Sequence, residues 1–155
     1  MRQLFCWFVM DLGLKMIIIG IDPGQTAGIA ILDTESSEKL IDVFCSDFRG
    51  SIDFIKEADV VVVELPNIQR VLHKAKVLKA NQKTALRVGM VLREAQLLIK
   101  FAGIHKIQCV IQSPRGKINA EAFKKLTGWN KPINQHSRDA GILAWGMRLM
   151  RVGKL

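Results

Sequence analysis

The sequence is poor in cysteine, in proline and in long apolar runs. Its three cysteines, Cys6, Cys45 and Cys109, are far apart and show no CxxC spacing, so they predict reduced intracellular thiols and no zinc site. With only 4 prolines and 12 glycines among 155 residues, the chain has neither a fibrous nor a low-complexity composition. The apolar run at residues 4–10 is too short to span a bilayer and makes a poor signal peptide. We therefore expect a globular cytoplasmic protein that contacts no membrane.

Acidic residues are scarce in the second half of the chain. The net charge is +9, yet residues 1–64 carry 5 Lys/Arg and 11 Asp/Glu, whereas residues 65–155 carry 18 and 3. This asymmetry favours a polyanion such as nucleic acid, held by the second half of the chain. The alternative is a basic protein whose solvated faces are rich in lysine, and charge alone does not separate these two interpretations.

Three short β-branched, apolar runs come first in the expected domain. Only the turn Asp-Pro-Gly-Gln and a short polar stretch lie between them, which predicts three antiparallel strands joined in a meander. A helix is predicted next, over residues 50–57. The run VVVVEL at residues 60–65 is typical of a central strand that is buried on both faces. The three opening runs lie at residues 17–21, 26–32 and 39–44.

After the central strand we predict a long helical region, a fifth strand and two more helices. The long helical region has apolar residues at helical spacing along one stripe, which predicts a side that faces the core. The stripe consists of Val88, Val91, Leu92, Ala95, Leu98 and Ala102. Asn119 is a typical helix N-cap. These four elements are predicted at residues 67–102, 107–111, 120–126 and 135–150. The order predicts one α/β domain over residues 16–155, a mixed five-stranded sheet flanked by helices in the ribonuclease-H-like order, with residues 1–15 as an N-terminal extension.

Three carboxylates are placed where a metal site is expected. Asp22 follows the first strand in a Pro-Gly turn, and Glu64 closes the otherwise apolar central strand, where an unpaired charge is costly. Asp139 is the only aspartate after residue 64, on a helix whose other ionic residues are basic. Carboxylates from separate elements can hold two magnesium or manganese ions for phosphodiester cleavage. Taken singly, Asp22 also fits a turn cap and Glu64 an ion pair with a lysine.

His136 stands three residues before Asp139, on the same face of the last predicted helix. Its imidazole suits either of two roles, a metal ligand or the general base for an attacking water. A lone histidine is more often an ordinary surface or core residue. The spacing to Asp139 is therefore what supports a functional role.

Four segments carry a family resemblance: IIIGIDPGQTAGIAIL, VVVVELP, TALRVGMVLREAQLL and HSRDAGILAWG. In this order they resemble the opening hairpin, the central acidic strand, the following helix and the C-terminal helix of the RuvC-type Holliday junction resolvases, members of the ribonuclease-H-like nuclease superfamily. The resemblance covers most of residues 16–150. It implies a magnesium-dependent endodeoxyribonuclease, with manganese as a substitute, that resolves four-way junctions by paired symmetric nicks. It also implies a homodimer without a small-molecule cofactor, whose catalytic and metal-binding residues are Asp22, Glu64, His136 and Asp139.

The sequence departs from the family pattern in two places. Some members have aspartate where this chain has His136, a kind of variation that need not impair the site. Family members also tend to have an aromatic wedge after the central acidic strand, whereas this chain has no Phe, Tyr or Trp between Leu65 and Lys100. The resemblance thus supports nuclease chemistry more than it supports junction preference.

A basic segment, NIQRVLHKAKVLKANQK at residues 67–83, stands where family members tend to have that wedge. If this region is helical, Lys76, Lys79, Lys83 and Arg87 fall on one face and can follow a phosphate backbone. A solvated lysine face is the alternative. Ser113, Arg115 and Lys117 follow the fifth predicted strand at the same edge as the carboxylates, and are candidates for contacting the scissile phosphate or its neighbours. The predicted DNA-binding residues are Arg70, Lys74, Lys76, Lys79, Lys83, Arg87, Arg115 and Lys117.

The same residues allow other interpretations. An ATP-binding protein of the actin and sugar-kinase type shares the opening hairpin but needs two such lobes, and this chain has room for one. A non-catalytic nucleic-acid-binding domain of the same fold is expected to have lost an acid. A nuclease acting on flaps, forks or RNA–DNA hybrids fits the sequence as well as a junction nuclease does. The dimer interface is predicted at Val88, Met90 and Val91, for which core packing is the alternative.

Overall fold

The computed structural model describes residues 15–35, 39–65, 82–114 and 116–151, and of residues 82–84 and 149–151 only the backbone. These residues form a mixed five-stranded sheet flanked by four helices, which confirms the predicted α/β class. The strands are β1 (Ile17–Asp22), β2 (Ala27–Asp33), β3 (Lys39–Ser46), β4 (Val60–Glu64) and β5 (Gln108–Gln112). The helices are α1 (Phe48–Lys56), α2 (Gln82–Ile104), α3 (Ala120–Thr127) and α4 (Gln135–Arg151).

The strands lie side by side in the order β3-β2-β1-β4-β5. The first three form the predicted antiparallel meander, and β4 and β5 both run parallel to β1. Because β4 lies between β1 and β5 and helices cover both faces, its four valines are fully buried. The prediction of a central strand at this place is confirmed. The parallel direction also brings the carboxyl ends of β1, β4 and β5 to one edge of the sheet.

Side chains alternate between two cores on the two faces of the sheet. On one face, Val60 and Val62 pack with Leu143 and other residues of α4. On the opposite face, Val61 and Val63 pack with residues of α1 and α2. Even-numbered residues of β4 therefore point towards α4, and this parity decides which strand-end side chains can meet that helix.

Two helix starts are set by capping side chains. The carboxylate of Asp47 accepts a hydrogen bond from the Gly50 amide at 2.8 Å, so α1 begins at Phe48, two residues earlier than predicted. Asn119 accepts one from the Ala122 amide at 2.8 Å, and α3 starts where its cap was predicted. Helix α3 ends at Gly128, whose φ of 76° is in the left-handed region that glycine tolerates.

Helix α2 is only partly covered by the rest of the described structure. Ala95, Leu98 and Ala102 are buried against the sheet, as the apolar stripe predicts. Leu86 and Met90, in the first half of the helix, are 67% and 51% exposed. The remaining stripe residues are half-buried: Val88, Val91 and Leu92. Of the predicted core stripe, Ala95, Leu98 and Ala102 are thus confirmed as core residues, and the three earlier members are covered only in part.

Some predictions fall outside the described residues. These include most of the proposed extension at residues 1–15, the helical region between residues 66 and 81, and Cys6. Cys45 and Cys109 are free thiols. None of the helices in the described part of the chain is both long enough and apolar enough to cross a membrane.

Candidate active site

One row of residues crosses all five strands near the carboxyl ends of β1, β4 and β5. Cys45 pairs with Gly28, Gly28 pairs with Asp22, and Glu64 pairs with Gln112. Continuing the β1–β4 register by one residue sets Asp22 beside Glu64. By the alternation of side chains, the polar members of this row face α4. Two of the predicted acids are therefore neighbours in the sheet.

Two glycines allow α4 to lie directly on the strands. A Cβ atom at Gly20 would overlap the carbonyl oxygen of Ala140, and one at Gly28 would overlap that of His136. Any larger residue at either position would push the helix away from the sheet. The contact is between backbone and backbone, and it holds the first turn of α4 over Asp22.

Asp22 and His136 form the closest contact of the site. The Nδ1 atom of His136 lies 2.7 Å from Oδ2 of Asp22, whose side chain is 11% exposed, while the imidazole is 55% exposed. An ionised carboxylate can only accept, so with Asp22 ionised the proton is on Nδ1 and the lone pair on Nε2. The ring thus has a buried orienting partner on one side and a basic nitrogen that can reach solvent or a ligand on the other.

The carboxylates sit in an electrostatic environment that disfavours their charge. Burial raises the pKa of Glu64 to about 7, with the carboxylates of Asp22 and Asp139 adding to the effect. Burial also raises the pKa of Asp22, against the opposing hydrogen bond and charge of His136. Glu64 and Asp139 line one small cleft together with Gly116 and residues of α4. Three acids from three separate elements therefore act on one another, as the sequence predicts.

Asp139 is held by a chain of side-chain contacts within α4. The Gln135 amide donates to Oδ1 of Asp139 at 2.6 Å, and Arg138 donates to Oε1 of Gln135 at 2.8 Å. Arg138 also donates to the carbonyl oxygens of Ile133 and Ile118, at 2.7 and 3.3 Å. The Asp139 carboxylate is therefore oriented by a glutamine that is itself fixed by an anchored guanidinium.

The first turn of α4 is also fastened to β3. Asn134 accepts a hydrogen bond from the Ser137 amide at 2.9 Å and donates its side-chain amide to the Cys45 sulfur at 2.9 Å. The Ser137 hydroxyl lies 3.2 Å from the same sulfur. Together with the glycine contacts, these bonds fix the position of the helix that carries His136 and Asp139.

Two of the predicted DNA-binding residues, Arg87 and Lys117, have side chains that the structure describes. Lys117 is exposed, and its charge lowers the pKa of both Asp22 and Glu64, so it belongs to the site's surroundings. Arg87 is exposed on α2. Outside the described residues, or without a described side chain, lie Arg70, Lys74, Lys76, Lys79, Lys83 and Arg115.

The donor set suits a hard divalent cation in its chemistry. It consists of carboxylates and one imidazole, and the charges of Asp22 and Asp139 raise the pKa of Glu64, a repulsion that a cation would relieve. Within the described ranges, no three His, Cys, Asp or Glu side chains already form a group able to hold one ion. Binding a cation would therefore require these side chains to adjust.

Three contributors to the site were not predicted from the sequence. Gly28 carries no signal in the TAG segment beyond that of an ordinary hairpin glycine. Gln135 and Gln112 are single amides whose partners or neighbours are fixed only by folding. The one sequence signal for Gln112 is its position directly after Ile111, at the end of an apolar strand.

No family model matches the chain, and no curated protein matches it. The RuvC-type resemblance therefore stays a prediction from the four sequence segments.

Proposed function

We propose that this protein is a divalent-cation-dependent endonuclease that cleaves phosphodiester bonds in branched DNA. The observation that carries the proposal is the convergence of Asp22, Glu64 and Asp139, with His136, beside one edge of the sheet. These residues are separated by up to 117 positions in the chain. An arrangement of mutually repelling acids is costly for a fold unless a cation or a reaction uses it.

The strand order supports the same proposal. A sheet ordered β3-β2-β1-β4-β5, with β2 alone antiparallel to its two neighbours, is compatible with the ribonuclease-H-like arrangement. In that arrangement the first strand and the central strand each end in an acid and the last helix supplies another. We infer a ribonuclease-H-like nuclease of RuvC type, acting in the cytoplasm.

We assign the cation-holding role to Asp22, Glu64 and Asp139, with Mg²⁺ as the ion and Mn²⁺ as a substitute. A bound divalent cation lowers the pKa of water and neutralises charge on a phosphate. His136, oriented by Asp22, can accept a proton from the attacking water at Nε2, or serve as a further ligand through that atom. Gln135 and Arg138 keep Asp139 in place, and Lys117 offers a positive charge to a phosphate oxygen.

The substrate follows from charge and from the resemblance. The second half of the chain carries 18 Lys/Arg and only 3 Asp/Glu, which suits a polyanion gathered beside the site. We propose that Arg87 and Lys117, with the remaining predicted cations, contact DNA phosphates. The preference for four-way junctions rests on the RuvC-type resemblance alone, and nucleases of flaps or forks are the competing outcome.

We also propose that the active form is a homodimer. A four-way junction has approximate two-fold symmetry, and its resolution needs two nicks in opposed strands. Two copies related by a two-fold axis supply two sites through an isologous interface. The exposed Leu86 and Met90 on α2 offer apolar surface for such a contact.

The test is cleavage of labelled four-way junction, flap, fork, RNA–DNA hybrid and plain duplex, with and without Mg²⁺. We expect the wild-type protein to nick the junction only with Mg²⁺, and Asp22→Asn or Glu64→Gln to lower cleavage to the Mg²⁺-free level while retaining DNA binding. Asp53→Asn, an exposed acid on α1, is the matched control and should cleave normally.

Each other result has a distinct meaning. Nicking retained by either site variant would remove the proposed site. Preferred cleavage of flaps or forks would replace the resolvase by a structure-selective nuclease. Binding by the wild-type protein without cleavage of any substrate would identify a non-catalytic nucleic-acid-binding domain.

A further inference from the structure

The side-chain amide of Gln112 is almost fully buried and makes no hydrogen bond in the described structure. The residue is 8% exposed, and both its amide nitrogen and its amide oxygen are inaccessible to solvent and have no hydrogen-bond partner. Burying an amide without a partner costs free energy, and the few such groups in folded proteins call for an explanation. An apolar residue of similar length would avoid that cost, as Val110 does two residues earlier on the same strand.

The backbone places Gln112 directly beside Glu64. The two residues are register partners on the parallel strands β4 and β5, so their side chains start from neighbouring positions on the face that α4 covers. The Leu65 amide donates to the Gln112 carbonyl at 2.9 Å, which continues the ladder one step beyond Glu64. This hydrogen bond holds the backbone of Gln112 in place. The Gln112 side chain can therefore approach Glu64 only by rotating about its own bonds.

The chemistry of a primary amide fits this place. Its NH₂ group donates to a carboxylate, and its oxygen accepts from water or from a hydroxyl. Carboxylates that hold metal ions are commonly oriented by such outer hydrogen bonds, and loss of one weakens metal binding. The same arrangement already exists on the other side of the site, where the Gln135 amide donates to Asp139 at 2.6 Å.

We propose that Gln112 is a positioning residue for Glu64, and that its amide donates to the Glu64 carboxylate when the site holds a divalent cation. The inference rests on the proposed function, since it assigns a partner to Glu64 only in the loaded site. It gives the buried amide a partner, the ionised Glu64 carboxylate, once that carboxylate turns towards the cation. Gln112 would extend onto β5 the row of polar side chains that includes Asp22 and Glu64.

The test compares Gln112→Met with wild-type protein in two measurements that move in opposite directions. Without cation, the melting temperature of the variant should equal or exceed that of the wild type, because methionine fills the space and leaves no amide unpaired. In a calorimetric titration with MgCl₂, the affinity of the variant should fall by about ten- to a hundred-fold. A merely structural glutamine would lower the melting temperature and leave the Mg²⁺ affinity unchanged.

Two further variants separate the possible failures. Gln108→Met makes the same change at the opposite end of β5, beside Val60, and should leave the Mg²⁺ affinity unchanged. Glu64→Gln should abolish Mg²⁺ binding. If wild-type protein binds Mg²⁺, Glu64→Gln does not, and Gln112→Met binds as tightly as wild type, the inference is overturned and the proposed function stands. If wild-type protein does not bind Mg²⁺, the proposed function fails and this inference fails with it.

A measurement on the wild-type protein covers the case in which Gln112→Met does not fold. The side-chain NH₂ signals of ¹⁵N-labelled glutamine report on the hydrogen bonds of the amide. We expect the Gln112 signals, assigned with a conservative Gln112→Asn variant, to shift on addition of Mg²⁺ while those of Gln108 do not. Gln112 signals that stay in place at saturating Mg²⁺ would overturn the proposal.

Discussion

Helices α4 and α2 cover opposite faces of the same sheet and meet it in different ways. Helix α4 lies with its backbone on the strands, because Gly20 and Gly28 have no side chain to hold it away. Helix α2 packs through side chains, and only its second half, with Ala95 and Leu98, is buried. Helix α4 carries two residues of the candidate site, whereas helix α2 leaves apolar side chains exposed.

The difference separates two kinds of position in this protein. At the backbone contact between α4 and Gly28 there is no room for an added atom, so the position of His136 relative to Asp22 is fixed. Where a helix packs by its second half alone, residues in the first half remain available for another molecule. Substitutions should therefore act on folding and on the site through α4, and on assembly through α2.

The largest effect is expected at the contact between α4 and the strands. Gly28→Ala would place a methyl group on the carbonyl oxygen of His136, with no flexible side chain able to yield. We expect a loss of about 3 kcal/mol in the free energy of unfolding, by denaturant titration, and loss of Mg²⁺-dependent cleavage. Both effects have one cause, the displacement of the first turn of α4 from Asp22.

The matched control is the same substitution on α2. A Cβ atom at Gly103 meets nothing within 4 Å, so Gly103→Ala should leave stability unchanged or raise it by at most about 1 kcal/mol. Equal losses in the two variants would mean that the backbone contact at Gly28 has no special weight.

A second effect is expected in assembly. Replacing Leu86 and Met90 together by glutamate should convert the proposed dimer into a monomer, with a loss of about 2 kcal/mol or more in association. Light scattering measures the mass, and the junction assay should change from paired to single nicks. Ile104→Glu, an equally exposed change on the same helix, serves as the control and should stay dimeric. A wild-type protein that is already monomeric at working concentration would contradict the proposed interface.

A smaller effect concerns pH and compares the buried site with the rest of the protein. The folded protein raises the pKa of Glu64 from 4.5 to about 7, so it binds a proton that the unfolded chain has already released between these values. Stability from this group is therefore present below pH 4.5 and is lost as the pH rises through about 7. Glu64→Gln removes the loss, so at pH 8 it should be more stable than wild type by about 1–2 kcal/mol, a figure reduced for solvent screening.

Thermal unfolding of both proteins between pH 4 and pH 8, in buffer without divalent cations, measures this difference. Added Mg²⁺ should shrink or reverse it, because only the wild-type protein retains the carboxylate. A gap between the two proteins that does not change with pH would contradict the pKa assigned to Glu64.

Much of the fold was predictable because its signals are local. Four consecutive valines indicate a buried strand wherever they stand in the chain, and Asn119 caps the helix that follows it. Helix α1 begins two residues earlier than predicted because the Asp47 carboxylate accepts a capping bond from the Gly50 amide, a contact that hydrophobic spacing does not reveal. For Val88 and Val91 the sequence left a dimer interface and core packing as alternatives, because helical spacing shows that residues share a face and does not show what that face meets.

The acids of the candidate site were predictable from the sequence, whereas the residues that support them, such as Gly28 and Gln135, were not. Asp22, Glu64 and Asp139 stand out because a carboxylate at the end of an apolar strand, or alone on a basic helix, is unusual in any sequence. Lys117 was assigned to DNA contact, and the structure adds that its charge reaches the two buried acids.

The sequence by itself determined the kinds of element, their order and the acids that end them, since hydrophobic periodicity and capping act between residues close in the chain. Only the tertiary structure decided that Gly28 receives the backbone of α4 and that Gln112 lies unpaired beside Glu64. Those facts depend on strand register and on the approach of a helix from a distant part of the chain. A register that differed by one residue would turn Gln112 to the opposite face of the sheet, away from Glu64.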